Sequence, residues 1–149
     1  HLQPPLYQLT RASDKTTHDV GLLAAGGYAD AGDHDRFCNA TTCSITKIYD
    51  QTSRHNDLTV SPAGTAGAAD YPSDASVLAV TAGGHKVYGV YISPQHGYRK
   101  TAASGTARAG QAEGMYMVAS ARTSARTAAS TTEMPRSRWR TPATGTWTP

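Results

Sequence analysis

Cysteine is scarce in this chain of 149 residues: there are two, Cys38 and Cys43, with four residues between them. Long apolar stretches are missing as well. No run of 18 apolar residues occurs, which excludes a helical membrane span. The six histidines (His1, His18, His34, His55, His85 and His96) form no pair at i, i+3 or i+4, so no zinc site is indicated. Neither a P-loop nor a dinucleotide fingerprint is present, and nothing marks an exposed serine nucleophile. No cofactor is therefore expected. The start of the chain lacks a basic segment followed by an apolar core, so any leader is expected to have been removed already. Charged residues make up only 17% and hydrophobic ones 38%. That is the profile neither of a charge-rich cytosolic helical protein nor of a charged disordered segment.

Gly, Ala, Ser and Thr are abundant, a composition common in secreted β proteins with many turns. The length allows at most one ordinary domain. The most informative stretch is Phe37–Gln51, FCNATTCSITKIYDQ. Between its two cysteines lies Asn39-Ala40-Thr41, an acceptor triplet for N-linked glycan in a secreted protein. After Cys43 comes Ser44–Tyr49, rich in β-branched and aromatic residues, which reads as a strand around which the rest packs. The cysteines either close a short loop as a disulfide or remain two buried thiols, and the paired position argues for an oxidising compartment. A bridge over so short a loop is worth about 2 kcal/mol on the chain-entropy model.

Leu6–Thr10 reads as a short strand, followed by a polar stretch through His18. Val20–Tyr28 is apolar but runs into Ala24-Ala25-Gly26-Gly27, a turn. Asp30–Asp35 is acidic and reads as a solvated loop, since its spacing does not match an EF-hand. Leu58-Thr59-Val60 is strand-like, and 61–75 is a long irregular loop. Val77–Val80 and Lys86–Ile92 flank Gly83-Gly84 as a hairpin. A polar loop spans Ser93–Ala112, and Met115–Val118 is the expected last strand.

Beyond Val118 no Val, Ile or Leu occurs. Residues 1–120 carry nine Lys and Arg against ten Asp and Glu, net −1; residues 121–149 carry five against one, net +4. The basic character thus belongs to the tail, which has no hydrophobic periodicity and is expected to be unstructured. Five arginines without interleaved aromatics make a weak, salt-sensitive footprint, so no nucleic-acid partner is expected, and no membrane.

The stretches Leu6–Asp14, Phe37–Thr59, Gly84–Ala107 and Gln111–Val118 carry a resemblance. Over Leu6 to about Ser120 the chain resembles the catalytic domain of fungal α-L-arabinofuranosidase B, glycoside hydrolase family 54. The resemblance implies an all-β, concanavalin-like β-sandwich. It also implies a disulfide between Cys38 and Cys43 and a glycan on Asn39. The implied reaction is removal, with retention, of terminal α-L-arabinofuranosyl residues from arabinan or arabinoxylan by a secreted enzyme. The partners would be arabinose-containing plant polysaccharides; nothing speaks to oligomeric state.

Two departures stand out. An earlier cysteine pair of the family is missing before Leu6, and His1–Pro5 matches nothing. Near Ser120 the family continues toward a vicinal Cys-Cys followed by Phe-Asp-Tyr-Gly-Asn-Ala-Glu, whereas this chain runs into its basic tail. When the last base of each codon is read with the first two of the next, Thr127–Arg136 can encode that very string. Met134-Pro135 forces GCC, alanine, and Trp147-Thr148 forces GAC, aspartate. Residues 121–149 are thus expected to be a frame-shifted translation, leaving 1–120 as a partial catalytic domain.

Retaining glycosidases need two carboxyl groups about 5–5.5 Å apart. The family's nucleophile Glu and acid/base Asp fall beyond the end of this chain, so no residue here is assigned a catalytic role. Glu113 and Glu133 are the only glutamates, and Asp33, Asp35 and Asp50 do not stand at the family's catalytic positions. This chain is therefore expected to be inactive. Tyr88, Tyr91, Tyr98 and Tyr116 suit a half-buried strand face better than a sugar platform. The competing reading is a non-catalytic secreted β-module that binds plant cell-wall polysaccharide.

Overall fold

The structure, a computed structural model, describes residues 4–64, 67–112, 114 and 118–119. The chain divides into two units, residues 1–108 and 109–149. The described residues of the second unit contain neither helix nor strand. The tail 121–149 lies outside the described residues, as does most of the expected strand Met115–Val118.

The first unit is built on β1 (Tyr7–Arg11), whose sequence YQLTR alternates cleanly. Leu9 is fully buried, while Gln8 and Thr10 point to the opposite face. A tight turn at residues 12–14 leads into β2 (Thr17–Val20), which pairs antiparallel with β1, placing Val20 opposite Tyr7 and His18 opposite Leu9. The polar stretch read as ending at His18 is therefore partly strand. Leu22 then bridges to Ala29 around the Ala24–Gly27 turn.

Next comes α1 (Ala31–Phe37), where the sequence suggested a solvated acidic loop. The correction has a local cause and a distant one. The Asp30 side chain accepts from the Asp33 backbone N–H at 2.9 Å, supplying an N-cap. His34 is buried beneath the turn, giving the short helix a core-facing side chain.

The strand expected after Cys43 is β3 (Cys43–Ile48), and it occupies the centre of a five-stranded antiparallel sheet. The sheet runs β2-β1-β3-β4-β7, with β4 at Leu58–Val60 and β7 at Tyr98–Arg99. Because β4 pairs only with Lys47 and Ile48, the Cys43–Ile45 end of β3 needs another partner. The 73–75 segment supplies it: Ile45 N–H donates to Ser73 O at 2.9 Å, and Ala75 N–H to Cys43 O at 2.9 Å. The register shifts between Gln8 and Leu9, making Thr46 the extra residue of a bulge on β3.

The second sheet is a hairpin of β5 (Ala79–Ala82) and β6 (His85–Tyr88). Gly83 and Gly84 turn it with positive φ at both positions, the geometry of a two-residue hairpin loop. A Cβ on Gly83 would run into the Tyr28 hydroxyl, so the backbone there must stay bare. The expected hairpin is thus present, with its first strand two residues later than Val77–Val80 and its second ending at Tyr88, short of the expected Ile92. The core consists of Leu9, Val20, Cys43, Ile45 and Ala75, ringed by half-buried Tyr7, Phe37, Cys38, Ile48 and Tyr98.

Candidate functional site

The densest gathering of titratable side chains surrounds α1. From β2, His18 Nε2 stands 2.6 Å from Asp33 Oδ2, and its ring stacks on Phe37 at 4.8 Å. Arg36 donates to the other Asp33 oxygen at 3.2 Å. One residue on, His34 is 1% exposed, with Nδ1 2.9 Å from the Tyr7 hydroxyl and its ring stacked on Tyr88 at 4.0 Å. Its Nε2 has no partner. Asp35 accepts from Lys86 Nζ at 2.7 Å and from the Tyr88 hydroxyl at 2.5 Å. Two sheet elements, β2 and β6, are thereby tied to one short helix.

These contacts fix the charges. Burial opposes ionisation of Asp33, but His18 and then Arg36 outweigh it and hold the carboxyl below the usual carboxylate range. The Lys86 hydrogen bond, followed by that of Tyr88, lowers Asp35 in the same way. Burial pushes His34 below its ordinary value and keeps it neutral. Burial also raises Tyr7, so its hydroxyl keeps its proton. Asp50 sits elsewhere, in the loop after β3. It accepts from the backbone N–H groups of Thr52 and Asn56, which lower it too.

A glycosidase acid/base needs a carboxyl whose affinity for its proton is raised. Asp33, Asp35 and Asp50 are all shifted the opposite way. Each is an ionised structural anchor, engaged by hydrogen bonds within the protein. Among the described residues, no group of three or more His, Cys, Asp or Glu could hold a metal ion.

The loop following α1 is closed by a Cys38–Cys43 disulfide, which resolves the alternative of two free thiols. Asn39 is exposed in the turn between them, where Thr41 N–H donates back to Cys38 O at 3.3 Å. The tyrosines have structural duties: Tyr88 covers His34, and the Tyr98 hydroxyl donates to Ile45 O at 2.6 Å. Tyr91 is half-buried, and Tyr116 lies outside the described residues.

Tyr7, His18, His34 and Lys86 escaped the sequence reading. Tyr7 meets His34 across 27 residues, and Lys86 meets Asp35 across 51. No local spacing encodes such pairs. The only hint was compositional: three aspartates and a histidine between residues 30 and 35, unusual for a stretch beside a core.

A family model described as alpha-L-arabinofuranosidase B, catalytic, matches residues 2–129. That span exceeds the resemblance read from Leu6 to about Ser120 at both ends. The chain is 50% identical over 119 residues to a probable alpha-L-arabinofuranosidase B of Aspergillus fumigatus, covering 76% of this chain and 24% of that protein. It is 50% identical over 119 residues to alpha-L-arabinofuranosidase B of Emericella nidulans, covering 76% and 23%. The chain thus spans about a quarter of the length of the curated relatives it matches. Among solved structures, it is similar to an arabinofuranosidase complexed with arabinofuranosyl-alpha-1,2-xylobiose. The TM-score is 0.67 at 47% identity, over 71% of this chain and 23% of that one. A GH54 α-L-arabinofuranosidase soaked with a cyclic sulfate inhibitor gives 0.67 at 48%, over 70% and 23%. The all-β, sandwich-type class expected from the resemblance agrees with these neighbours and with the antiparallel sheets.

Proposed function

The chain belongs to the alpha-L-arabinofuranosidase B catalytic family, and from that membership we propose that it is scaffold from a secreted, retaining α-L-arabinofuranosidase. The parent activity is hydrolysis of terminal α-L-arabinofuranosyl residues of arabinan or arabinoxylan. The 149 residues on their own supply the sheet around β3 and no chemistry. The observation that carries this reading is the state of the carboxylates: Asp33, Asp35 and Asp50 are all held ionised by fixed donors. The proton donor must therefore come from sequence other than these positions, and their hydrogen-bonded oxygens suit them to anchoring rather than to attack. The Cys38–Cys43 bridge and the exposed Asn39 turn support secretion, since both suit an oxidising, glycosylating route.

Residues from about Ala121 onward are, in this account, a frame-shifted reading of the family's own coding sequence. Turnover assays with an aryl α-L-arabinofuranoside test the functional half. The 149-residue chain is expected to release no aryl alcohol above the uncatalysed background. Clear turnover that survives substitution of every described aspartate by asparagine one at a time would leave the scaffold assignment without support.

A further inference from the structure

Among the described residues the two sheets end on four edge strands: β2 and β7 on the five-stranded sheet, β5 and β6 on the hairpin. An open edge offers its backbone N–H and C=O groups to any extended chain, and proteins guard such edges with charge, proline or brevity. Three of the four are guarded. β2 carries His18 and the exposed Asp19, and β7 is two residues long and includes Arg99. β6 carries Lys86 and is engaged by α1, through the Asp35 contacts of Lys86 and Tyr88 and the stacking of Tyr88 on His34. β5 has no such device: Val77 through Ala82, VLAVTA, contains neither a charge nor a proline.

The groups that β5 leaves open follow from its register. Gly89 N–H donates to Leu78 O at 2.8 Å, one step beyond the last strand pair, Ala79 with Tyr88. Antiparallel alternation then makes Val80–Val87 and Ala82–His85 the other hydrogen-bonded pairs. Ala79 and Thr81 fall between them and turn their N–H and C=O groups away from β6. The same register, continued past Leu78 and Gly89, sets Val77 across from Val90. Val77 is 58% exposed, Val90 37% and Ile92 55%. An edge of open donors and acceptors is thus flanked by exposed apolar side chains. Two strands alone make a marginal sheet, which a third strand stabilises.

We infer that the β5 edge receives an added β-strand from the part of the arabinofuranosidase chain that lies outside the stretch matched here. The inference rests on the scaffold reading given above and names the surface through which the scaffold joins the remainder. Residues of this chain match only 24% of the Aspergillus fumigatus relative and 23% of the solved arabinofuranosidase, so most of each lies outside the matched stretch. An edge covered permanently by a strand of its own domain needs no guard, whereas one left in solvent or paired only in passing does. The bare sequence of β5 therefore favours the domain's own strand over a second copy of this chain. Main-chain bonds to Ala79 and Thr81 would supply the affinity, and apolar residues at alternate positions of the incoming strand would meet Val77 and Ala79.

The test refolds the 149-residue chain together with a polypeptide carrying the Aspergillus fumigatus sequence C-terminal to its matched stretch. That polypeptide paired with the relative's own matched stretch is the control. The two chains are expected to co-elute in size-exclusion chromatography. The Ala79 and Thr81 amides should exchange freely in the 149-residue chain alone and slowly in the complex. Thr81→Pro removes one outward donor and spares the β5–β6 pairing; it should weaken association about tenfold. Thr81→Val keeps the donor and should bind like the parent, and far-UV circular dichroism confirms that both variants keep their strands. The inference is overturned if Thr81→Pro associates unchanged, or if the two amides are already protected in the chain alone, as when its own residues cover the edge. It is also overturned if the chain alone forms a dimer that Thr81→Pro abolishes, which assigns the edge to a second copy, or if the mixture fails to associate, whether or not the control does. Aryl α-L-arabinofuranoside turnover by the mixture separates the two readings. A complex sensitive to Thr81→Pro but without turnover keeps the edge and removes the parent activity, while turnover indifferent to Thr81→Pro keeps the scaffold and removes the edge.

Discussion

The Tyr98 hydroxyl joins two segments that never meet in sequence: it donates to Ile45 O at 2.6 Å and accepts from Ser73 N–H at 2.8 Å. Ile45 lies on the central strand, and Ser73 on the loop that completes that strand's open edge. The phenol therefore serves as a cross-strand peg in the core wall. Tyr98→Phe leaves both backbone groups short of a partner and should cost about 1–3 kcal/mol. Urea denaturation followed by far-UV circular dichroism measures it, and an unchanged midpoint would count against the peg.

The Cys38–Cys43 bridge closes a loop directly ahead of β3. Changing both to Ser should lower stability by about 2 kcal/mol through the freed unfolded chain. Loss of local order is expected too. Hydrogen exchange at Asn39–Thr42 should accelerate more than exchange in β1. Uniform acceleration would mean that the bridge acts on the whole unit rather than on the loop.

What the sequence disclosed and what it hid follow from how local each signal is. β1, β3 and β4 show alternation or β-branched runs, and the Gly83-Gly84 turn announces its hairpin. Helix α1 could not be read from AGDHDRF, which has glycine, two aspartates and no apolar period. Its stability comes from the Asp30 cap and from partners on β2 and β6. β7 has only two residues, Tyr98 and Arg99, and exists because β4 offers an edge. The disulfide followed from a resemblance joined to spacing. By contrast, the His34 environment arises only once the helix packs against β1 and β6.

Acid should weaken the fold through His34. Burial depresses this imidazole below its ordinary 6.5, so the unfolded chain takes up a proton at a pH where the folded chain does not. Its contribution is complete above about pH 6.5 and is lost as pH falls toward the depressed value. Asp33 and Asp35, also depressed, add further losses only below the ordinary carboxylate range. The urea midpoint should drop between pH 7.5 and pH 5 in the parent and drop less in His34→Phe. Equal slopes would assign the effect to other groups.

Expression through a eukaryotic secretory route should add one N-glycan, on Asn39. Mass spectrometry of the intact chain should show a glycan-sized increment, absent from Asn39→Gln and removed by an amidase specific for N-glycans. An unmodified parent secreted in good yield would show that the exposed turn is not used.

The central claim is that this chain joins an arabinofuranosidase scaffold to a tail read in the wrong frame. The nucleotide sequence from the Val118 codon to the Pro149 codon tests that most directly. Restoring one base should convert Thr127–Arg136 into Cys-Cys-Phe-Asp-Tyr-Gly-Asn-Ala-Glu and Thr141–Pro149 into Thr-Gly-Asn-Gly-His-Met-Asp. Codons that yield neither string in a neighbouring frame would contradict it.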